Sequence, residues 1–257
     1  MSKILSCIEV KTMQQKKVLL AFAKDRWPAS YRLLYHVSPD TIWENGITNV
    51  HIFMAITSGD VVAALAYHTD SRDIRNGALV GELSAANMLL RKFCNRPTRL
   101  ACDFKPNIVQ LGTSFDAVVK VNQLMRVCSQ TFNPFSFGAA RLLDEREKYI
   151  LPEEYQRDDW LACAYVKGNK AFSYAFAGHF ISGKSCFIRW VKTPKEFQGK
   201  GYAIATMSCL LSELLKEYSD VLLYTDLEGP APHIYEKIGF KQVAVHHFIS
   251  SRDSAND

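Results

Sequence analysis

Residues 197–203, FQGKGYA, are the part of the sequence whose residue types and spacing point most directly to chemistry. Gly199 and Gly201 flank Lys200, after the apolar run FIRWV and before the helical pattern IATMSCLLSELLKEY. A helix N-terminus carries unpaired N–H groups and roughly half a positive charge, so a turn whose backbone comes close can bind a phosphate. The glycines leave room for that approach, Lys200 adds charge, and Gln198 can hydrogen-bond the same anion. Taken alone, however, the loop is first interpreted as a plain strand-to-helix turn made by two glycines.

The spacing within this loop separates three kinds of phosphate-binding motif. A dinucleotide fingerprint, GxGxxG, needs a third glycine where Ile204 stands. A Walker loop needs Ser or Thr after its Gly-Lys pair, but Gly201 follows Lys200 here. The pattern that remains is Gln198-x-x-Gly201-x-Ala203 at a strand-to-helix turn.

The elements that must position this loop are a run of short strands and two helices. Alternating apolar residues and tight turns predict an antiparallel meander of three strands before the loop. After it, apolar residues at three-and-four spacing predict one long helix with a buried face, followed by strand, helix and strand. The segments are WLACAYV, KAFSYAFAGHF, CFIRWV, the helix through Tyr218, VLLYTDL, the turn EGPAP, HIYEKIGF ending at Gly239, and KQVAVHHFI.

Two of these segments together carry a family resemblance. FIRWVKTPKEFQGKGYA resembles the acetyl-CoA signature of the GCN5-related N-acetyltransferase (GNAT) superfamily, Q/R-x-x-G-x-G/A between a strand and a long helix. YTDLEGPAPHIYEKIGF resembles the second signature, in which a helix ends in Tyr-x-x-x-Gly-Phe. The resemblance covers about residues 155–248 and implies an α/β fold, the GNAT acyl-CoA N-acyltransferase fold, with a mixed central sheet flanked by helices.

The resemblance implies acetyl-CoA or coenzyme A (CoA) as cosubstrate. It places the pantetheine arm where strand 186–191 separates from strand 221–226, bonded to the backbone of Trp190, Val191 and Lys192. The pyrophosphate would lie on the loop and the helix start, formed by Gln198, Gly199, Lys200, Gly201, Tyr202 and Ala203.

Transfer of an acyl group to an amine needs a proton for the departing thiolate and a base for the amine. The resemblance makes Tyr235 the general acid, and a phenol with a reference pKa near 10 is protonated at neutral pH. Many relatives carry a Glu on the strand CFIRWV, which has none here, so His179, Asp226, Glu228 or water are candidates for the base. Glu228 stands where relatives often have Asn, which puts the pantetheine contacts in doubt. Without the resemblance, the residues favour a structural role for Tyr235, as a half-buried aromatic between Ile234 and Ile238.

Composition limits the class of protein and its compartment. The 257 residues are 48% hydrophobic and 22% charged, with a formal net charge of +5, which suits an anionic ligand but falls short of a nucleic-acid-binding tail. The seven cysteines are scattered without metal-ligand spacing, which indicates reduced thiols and no zinc site. Without a signal-like or membrane-spanning run, we expect a cytoplasmic protein that binds neither membrane nor nucleic acid.

The N-terminal half is mixed α/β and lacks a QxxGxG loop. We expect a degenerate GNAT-like repeat or an unrelated α/β cap over residues 1–130. The acetyltransferase domain is expected over residues 131–257, with the charged segment 144–160 as an exposed connector. The predicted elements are a helix over 13–24, a helix from Pro28, a hairpin at Gly59-Asp60, a loop over 70–77, a helix over 82–94, a strand over 99–104 and a helix over 106–120.

The function that these observations favour is acetyl-CoA-dependent N-acetylation by direct attack of an amine in a ternary complex. No cysteine lies in either signature, so a covalent acyl-enzyme is not indicated. A glycine-N-acyltransferase-like enzyme that uses a longer acyl-CoA is one alternative. A non-catalytic acyl-CoA-binding regulatory module is another, motivated by the missing carboxylate and the altered Asn position. The amine acceptor and the oligomeric state are left open by the sequence.

Overall fold

The structure is a computed structural model that describes residues 5–37, 50–69, 75–93, 98–106, 115–156, 160–181 and 184–251. The helices are α1 Met13–Asp25, α2 Tyr31–Val37, α3 Leu83–Phe93, α4 Tyr202–Glu217 and α5 Pro230–Ile238. The strands are β1 Leu5–Glu9, β2 Val50–Thr57, β3 Asp60–Thr69, β4 Arg75–Gly81, β5 Thr98–Cys102, β6 Phe115–Cys128, β7 Ala140–Leu142, β8 Leu161–Lys167, β9 Lys170–Ile181, β10 Ser185–Lys192, β11 Asp220–Asp226 and β12 Lys241–Ser251. No helix among the described residues is both long and apolar enough to cross a bilayer.

The chain divides into two compact units, residues 1–123 with 243–257 and residues 124–242. In the first unit the strands lie in the order β1–β2–β3–β4–β5–β12, with an antiparallel meander followed by the parallel pair β4 and β5, which α3 connects. The division into functional domains at residue 130 stays a prediction, since grouping by contacts does not define a functional domain.

The second unit repeats this strand pattern. Its order is β6–β11–β10–β9–β8–β7, in which β7 to β10 form the antiparallel meander and β10 and β11 the parallel pair, connected by α4. The final strand β12 follows α5 along the chain and pairs with β5 of the first unit, with His247 opposite Cys102.

The core of the second unit explains why α4 forms where it does. One face of α4 is fully buried at Met207, Leu210 and Leu211, which pack on the sheet beside Ile188 and Val221. Burying a Leu side chain of this kind stabilises the fold by about 2 kcal/mol. The apolar residues at three-and-four spacing therefore hold α4 against the sheet, starting directly after the loop that follows β10.

The structure confirms the meander, both C-terminal helices and the β2–β3 hairpin, and corrects four boundaries. The predicted helix over 106–120 is wrong from Phe115 onward, because β6 begins there. Residues 107–114 lie outside the part of the chain that the structure describes. The predicted loop over 70–77 overlaps β4 from Arg75, and residues 70–74 likewise lie outside it. The helix expected from Pro28 begins at Tyr31, and α5 already begins at Pro230 within the expected turn.

Three of the four corrections have a local cause. In β6 the valines favour a strand, since β-branched side chains suit a pleated surface. Gly77 suggested a turn, yet it is a strand residue whose missing side chain leaves room for β3: a Cβ there would lie 2.0 Å from the Ala66 carbonyl oxygen. Pro230 is placed at the start of a helix, where its fixed φ is favourable and the missing N–H costs nothing.

Candidate active site

The loop between β10 and α4 brings backbone rather than side chains to the start of the helix. Gly199 and Gly201 both adopt positive φ, +74° and +78°, a region that glycine enters without a Cβ penalty. Gly201 is the N-cap and no side chain caps the helix, whose first described intrahelical bond runs from the Ala205 N–H to the Gly201 carbonyl at 3.1 Å. The N–H groups of residues 202–204 therefore precede the first helical bond and can meet an anion.

The space in front of this loop is empty of protein. A Cβ built on Gly199 or Gly201 would meet no atom within 4 Å, so both α-carbons face an opening. The backbone of Gly199 and Gly201 and the N–H groups at the start of α4 thus border an open space, which we call the glycine cradle. A side chain at either glycine would extend into this space.

A pocket of about 450 Å³ extends from this cradle to α5. One end is formed by the glycine loop, and the other by the first turns of α5. The walls are predominantly apolar. The lining residues are Val191, Thr193, Phe197, Gln198, Gly199, Gly201, Tyr202, Ala203, Ile204, Pro230, Ala231, Ile234 and Tyr235.

Gln198 and Lys200 turn toward their own loop. The side-chain amide of Gln198 donates to the Thr193 carbonyl oxygen at 3.0 Å, and the Lys200 ammonium donates to the Glu196 carbonyl oxygen at 3.2 Å. Gln198 thus braces the loop, and the loop's positive charge lies at its exposed surface.

The parallel strands β10 and β11 pair at one end only. Their register runs from Ser185 opposite Asp220 to Ile188 opposite Leu223. On the other side of β10, an irregularity in the pairing with β9 falls between Ile188 and Trp190. The C-terminal half of β10 therefore has backbone groups that β11 does not use, next to the pocket wall at Val191.

Tyr235 is the titratable side chain of the pocket whose environment is most unusual. Its ring is 8% exposed and packs edge-on against Phe240 at 5.8 Å between centroids. Burial raises the pKa of the Tyr235 phenol to about 12, because the charged phenolate would lose its hydration. The hydroxyl makes no hydrogen bond with any described residue, so it is available to a ligand.

The other predicted site residues lie around the pocket rather than in its lining. Asp226 ends β11 and Glu228 follows in the turn, both exposed. Trp190, 52% exposed, packs near Tyr155, and the Lys192 ammonium lies 5.7 Å from the centre of the Tyr155 ring. The side chain of His179 lies outside the described part of the structure.

Several lining residues were not predicted from the sequence. Phe197, Ala231 and Ile234 form much of the apolar wall, and Thr193 and Pro230 complete it. The helical spacing of Ala231, Ile234 and Tyr235 was the available signal, since residues three and four apart share one face of α5.

One phosphate-loop match was overlooked in the sequence, and its structural context rules it out. Residues 178–185, GHFISGKS, fit the Walker pattern GxxxxGK[ST]. They connect the antiparallel strands β9 and β10, and Ser185 continues into a strand, whereas that motif needs a helix after the loop.

The corresponding turn of the first unit has no such cradle. A single residue, Glu82, separates β4 from α3, and a Cβ on Gly81 would lie 2.3 Å from the Val62 carbonyl oxygen. The Gly81 N–H donates to the Asp103 carboxylate at 3.0 Å and the Glu82 N–H to the Val62 carbonyl oxygen at 2.9 Å, so both amides just before the helix are already occupied.

One protein-family model matches part of the chain. Residues 171–249 match the family model described as FR47-like protein, a range that contains both the glycine loop and Tyr235. A search of curated proteins found no match.

Solved structures are similar over nearly the whole chain. A GCN5-related N-acetyltransferase from Sphaerobacter thermophilus is 11% identical, with 96% of this chain and 95% of that chain covered and a TM-score of 0.59. A GCN5-related N-acetyltransferase-like protein from Streptococcus suis is 16% identical, with coverage of 94% and 100% and a TM-score of 0.58. A tandem GNAT protein from the clavulanic acid biosynthesis pathway is 11% identical, with coverage of 96% and 98% and a TM-score of 0.54. The chain therefore has the fold of the GCN5-related N-acetyltransferases, in a tandem arrangement whose C-terminal part matches the FR47-like family.

Proposed function

We propose that this protein is an acetyl-CoA-dependent N-acetyltransferase whose second unit binds the acyl-CoA. The observation that carries the proposal is the pocket that joins the glycine cradle at the start of α4 to the buried hydroxyl-bearing ring of Tyr235. A GNAT fold alone does not define an activity, whereas this pocket provides an anion-binding end and a proton-donating end.

The residues present fit an acyl-CoA. The open cradle at Gly199 and Gly201 and the N–H groups of α4 suit the pyrophosphate. The apolar wall at Val191 and Ile234, beside the part of β10 that does not pair with β11, suits the pantetheine arm. The first unit has no comparable loop among its described residues, so the proposal assigns acyl-CoA binding to the second unit.

When bound, acetyl-CoA supplies an activated acyl group and a thiolate leaving group. Tyr235 holds its proton well above neutral pH, because burial raises the pKa of the phenol to about 12, and it donates that proton to the leaving sulfur. No cysteine is among the lining residues, so the amine attacks directly and forms the C–N bond as the C–S bond breaks. Tyr235 is then reprotonated from solvent.

The proton that the amine loses must leave by another route. The candidates for the base are Asp226 at the end of β11, Glu228 in the turn that follows, His179 on β9, and ordered water. The Arg189 guanidinium stays charged and cannot act as the base.

The first experiment is calorimetric titration of the full chain with acetyl-CoA and with CoA, beside the Gly201→Glu variant. Glutamate would place bulk and negative charge in the cradle, so we expect binding by the parent and its loss in the variant. Gly59→Glu is the matched control, since Gly59 also has positive φ and open space around its Cβ. If the parent binds neither compound, the proposal is wrong.

A panel of amines, with release of free CoA thiol as the signal, then tests the reaction. Turnover with acetyl-CoA supports the proposal, and a clear preference for longer acyl-CoAs would favour the glycine-N-acyltransferase-like alternative. CoA binding without turnover on any amine would favour a regulatory acyl-CoA-binding module.

A further inference from the structure

Three lysines surround a stacked aromatic pair beside the glycine loop. Phe172 on β9 and Phe197 in the loop stack with centroids 4.1 Å apart and an interplanar angle of 3°. The Lys170 and Lys200 ammonium groups lie 4.8 and 5.8 Å from the centre of the Phe197 ring, and the Lys167 ammonium lies 5.7 Å from that of Phe172. Two of the lysines come from the β8–β9 hairpin, which neither family signature includes.

This lysine–phenylalanine cluster adjoins the acyl-CoA pocket. Phe197 lines the pocket, as does Tyr202, whose hydroxyl lies 3.4 Å from the Lys167 ammonium. The cluster therefore meets the pocket at Phe197 and at Tyr202, next to the glycine loop.

No carboxylate among the described residues balances the charge of the cluster. Lys167, Lys170 and Lys200 are exposed, and none forms an ion pair with a carboxylate among the described residues. Lys200 donates to the Glu196 carbonyl oxygen, whereas the two hairpin lysines have no acidic partner in the part of the chain that the structure describes. Cations gathered at one place without counter-charges favour a dianion over a neutral group.

We propose that Lys167 and Lys170 bind the 3′-phosphate of CoA, with the Phe172–Phe197 pair as the apolar floor below them. This inference rests on the proposed function. The nucleotide end of CoA carries a phosphomonoester close to its pyrophosphate, and such a group has nearly two negative charges at neutral pH. Lysine suits it as a mobile point charge with three donors.

A purely structural role for these lysines makes a different prediction. Lysine side chains often cover aromatic surface with their aliphatic stems. Such lysines would contribute to stability but would not distinguish ligands with and without a 3′-phosphate.

The test compares CoA with dephospho-CoA, which lacks only the 3′-phosphate, by calorimetric titration of the parent and the Lys167→Gln/Lys170→Gln double variant. We expect the parent to bind CoA about tenfold more tightly than dephospho-CoA, a preference that the double variant loses. Lys184→Gln, an exposed lysine at the opposite end of β10, is the matched control and should keep the preference. The preference should shrink as NaCl is raised from 50 to 500 mM.

The outcomes separate this inference from the proposed function. Equal affinity of the parent for the two ligands, or an unchanged ratio in the double variant, overturns the 3′-phosphate site while acetyl-CoA binding stands. Failure of the parent to bind either ligand overturns both. Thermal unfolding of the double variant verifies that it is folded.

Discussion

The side-chain amide of Gln198 donates a hydrogen bond to the main-chain carbonyl oxygen of Thr193 at 3.0 Å. This bond spans the short helical turn Lys195–Phe197 and ties the end of β10 to the residue just before the glycines. The sequence suggested that Gln198 bonds the anion itself. In the structure its amide bonds the loop's own backbone, which suits it to hold the shape of the cradle; that Gln198 also bonds an anion stays a prediction.

We therefore predict that Gln198→Leu, which keeps the bulk but removes the amide, weakens acetyl-CoA binding about fivefold, or about 1 kcal/mol. Amide hydrogen exchange in residues 193–199 should also become faster in the ligand-free variant, because the brace acts before any ligand binds. Gln242→Leu, an exposed glutamine on β12, is the control. Unchanged exchange in the free protein would show that the bond does not hold the loop.

Tyr235→Phe tests the proton donor. General acid catalysis contributes roughly a hundredfold or more, so we expect kcat to fall by about that factor while the dissociation constant for CoA changes less than about twofold. Tyr218→Phe, at the C-cap of α4, controls for loss of a tyrosine hydroxyl elsewhere in the unit. A Phe variant with parental kcat would exclude Tyr235 as the acid.

The pH profile gives the same residue an independent test. Burial raises the pKa of the Tyr235 phenol to about 12, so the acid stays protonated throughout the usual assay range. Because of this shift, kcat should not decline through loss of this proton below about pH 11. A decline centred near pH 9 in the parent that disappears in Tyr235→Phe would contradict the assigned environment.

Local patterns predicted most of the second unit, because each element there is specified by its own residues. The three-and-four spacing of α4 and the tight turns of the β8–β9–β10 meander suffice for that. The pairing partner of β12 could not be predicted in the same way. The alternation of its apolar and polar residues predicts a strand, but the pairing of His247 with Cys102 joins residues far apart in sequence. The strand character of β6 likewise depends on partners that the chain reaches later.

The site was predicted where backbone conformation determines it and missed where side chains meet across elements. Gly199 and Gly201 are informative because only glycine adopts their φ without penalty. Phe197 gave no signal, since its role depends on stacking with Phe172 from another strand. The prediction of Asp226 and Glu228 as candidates for the base rests on their position along the chain, and that position does not determine whether a side chain reaches the pocket.

Gly239 and Gly168 form a matched pair for testing the second signature. Both have positive φ, +106° and +58°, but a Cβ on Gly239 would lie 1.9 Å from the Thr131 carbonyl oxygen while one on Gly168 meets nothing within 4 Å. We predict that Gly239→Ala lowers the free energy of unfolding by about 3 kcal/mol and Gly168→Ala by about 1 kcal/mol, measured by urea denaturation. Equal losses would mean that the close approach of residue 131 is not what requires Gly239.

Asp103 makes the stability of the first unit depend on pH. Burial raises the pKa of its carboxyl to about 6, against the lowering effects of the Gly81 N–H and of Arg26. Because the folded-state pKa lies above the unfolded value near 4, the contribution of Asp103 to stability is complete below pH 4 and is lost as pH rises through 6.

Asp103→Asn stays neutral and keeps an oxygen acceptor for Gly81, so its unfolding free energy relative to the parent should rise by about 2 kcal/mol between pH 4 and pH 7.5. Asp60→Asn, on the exposed β2–β3 hairpin, controls for the loss of one negative charge. A difference between Asp103→Asn and parent that is constant across this range would show that the carboxylate ionises in the folded protein as readily as in the unfolded chain.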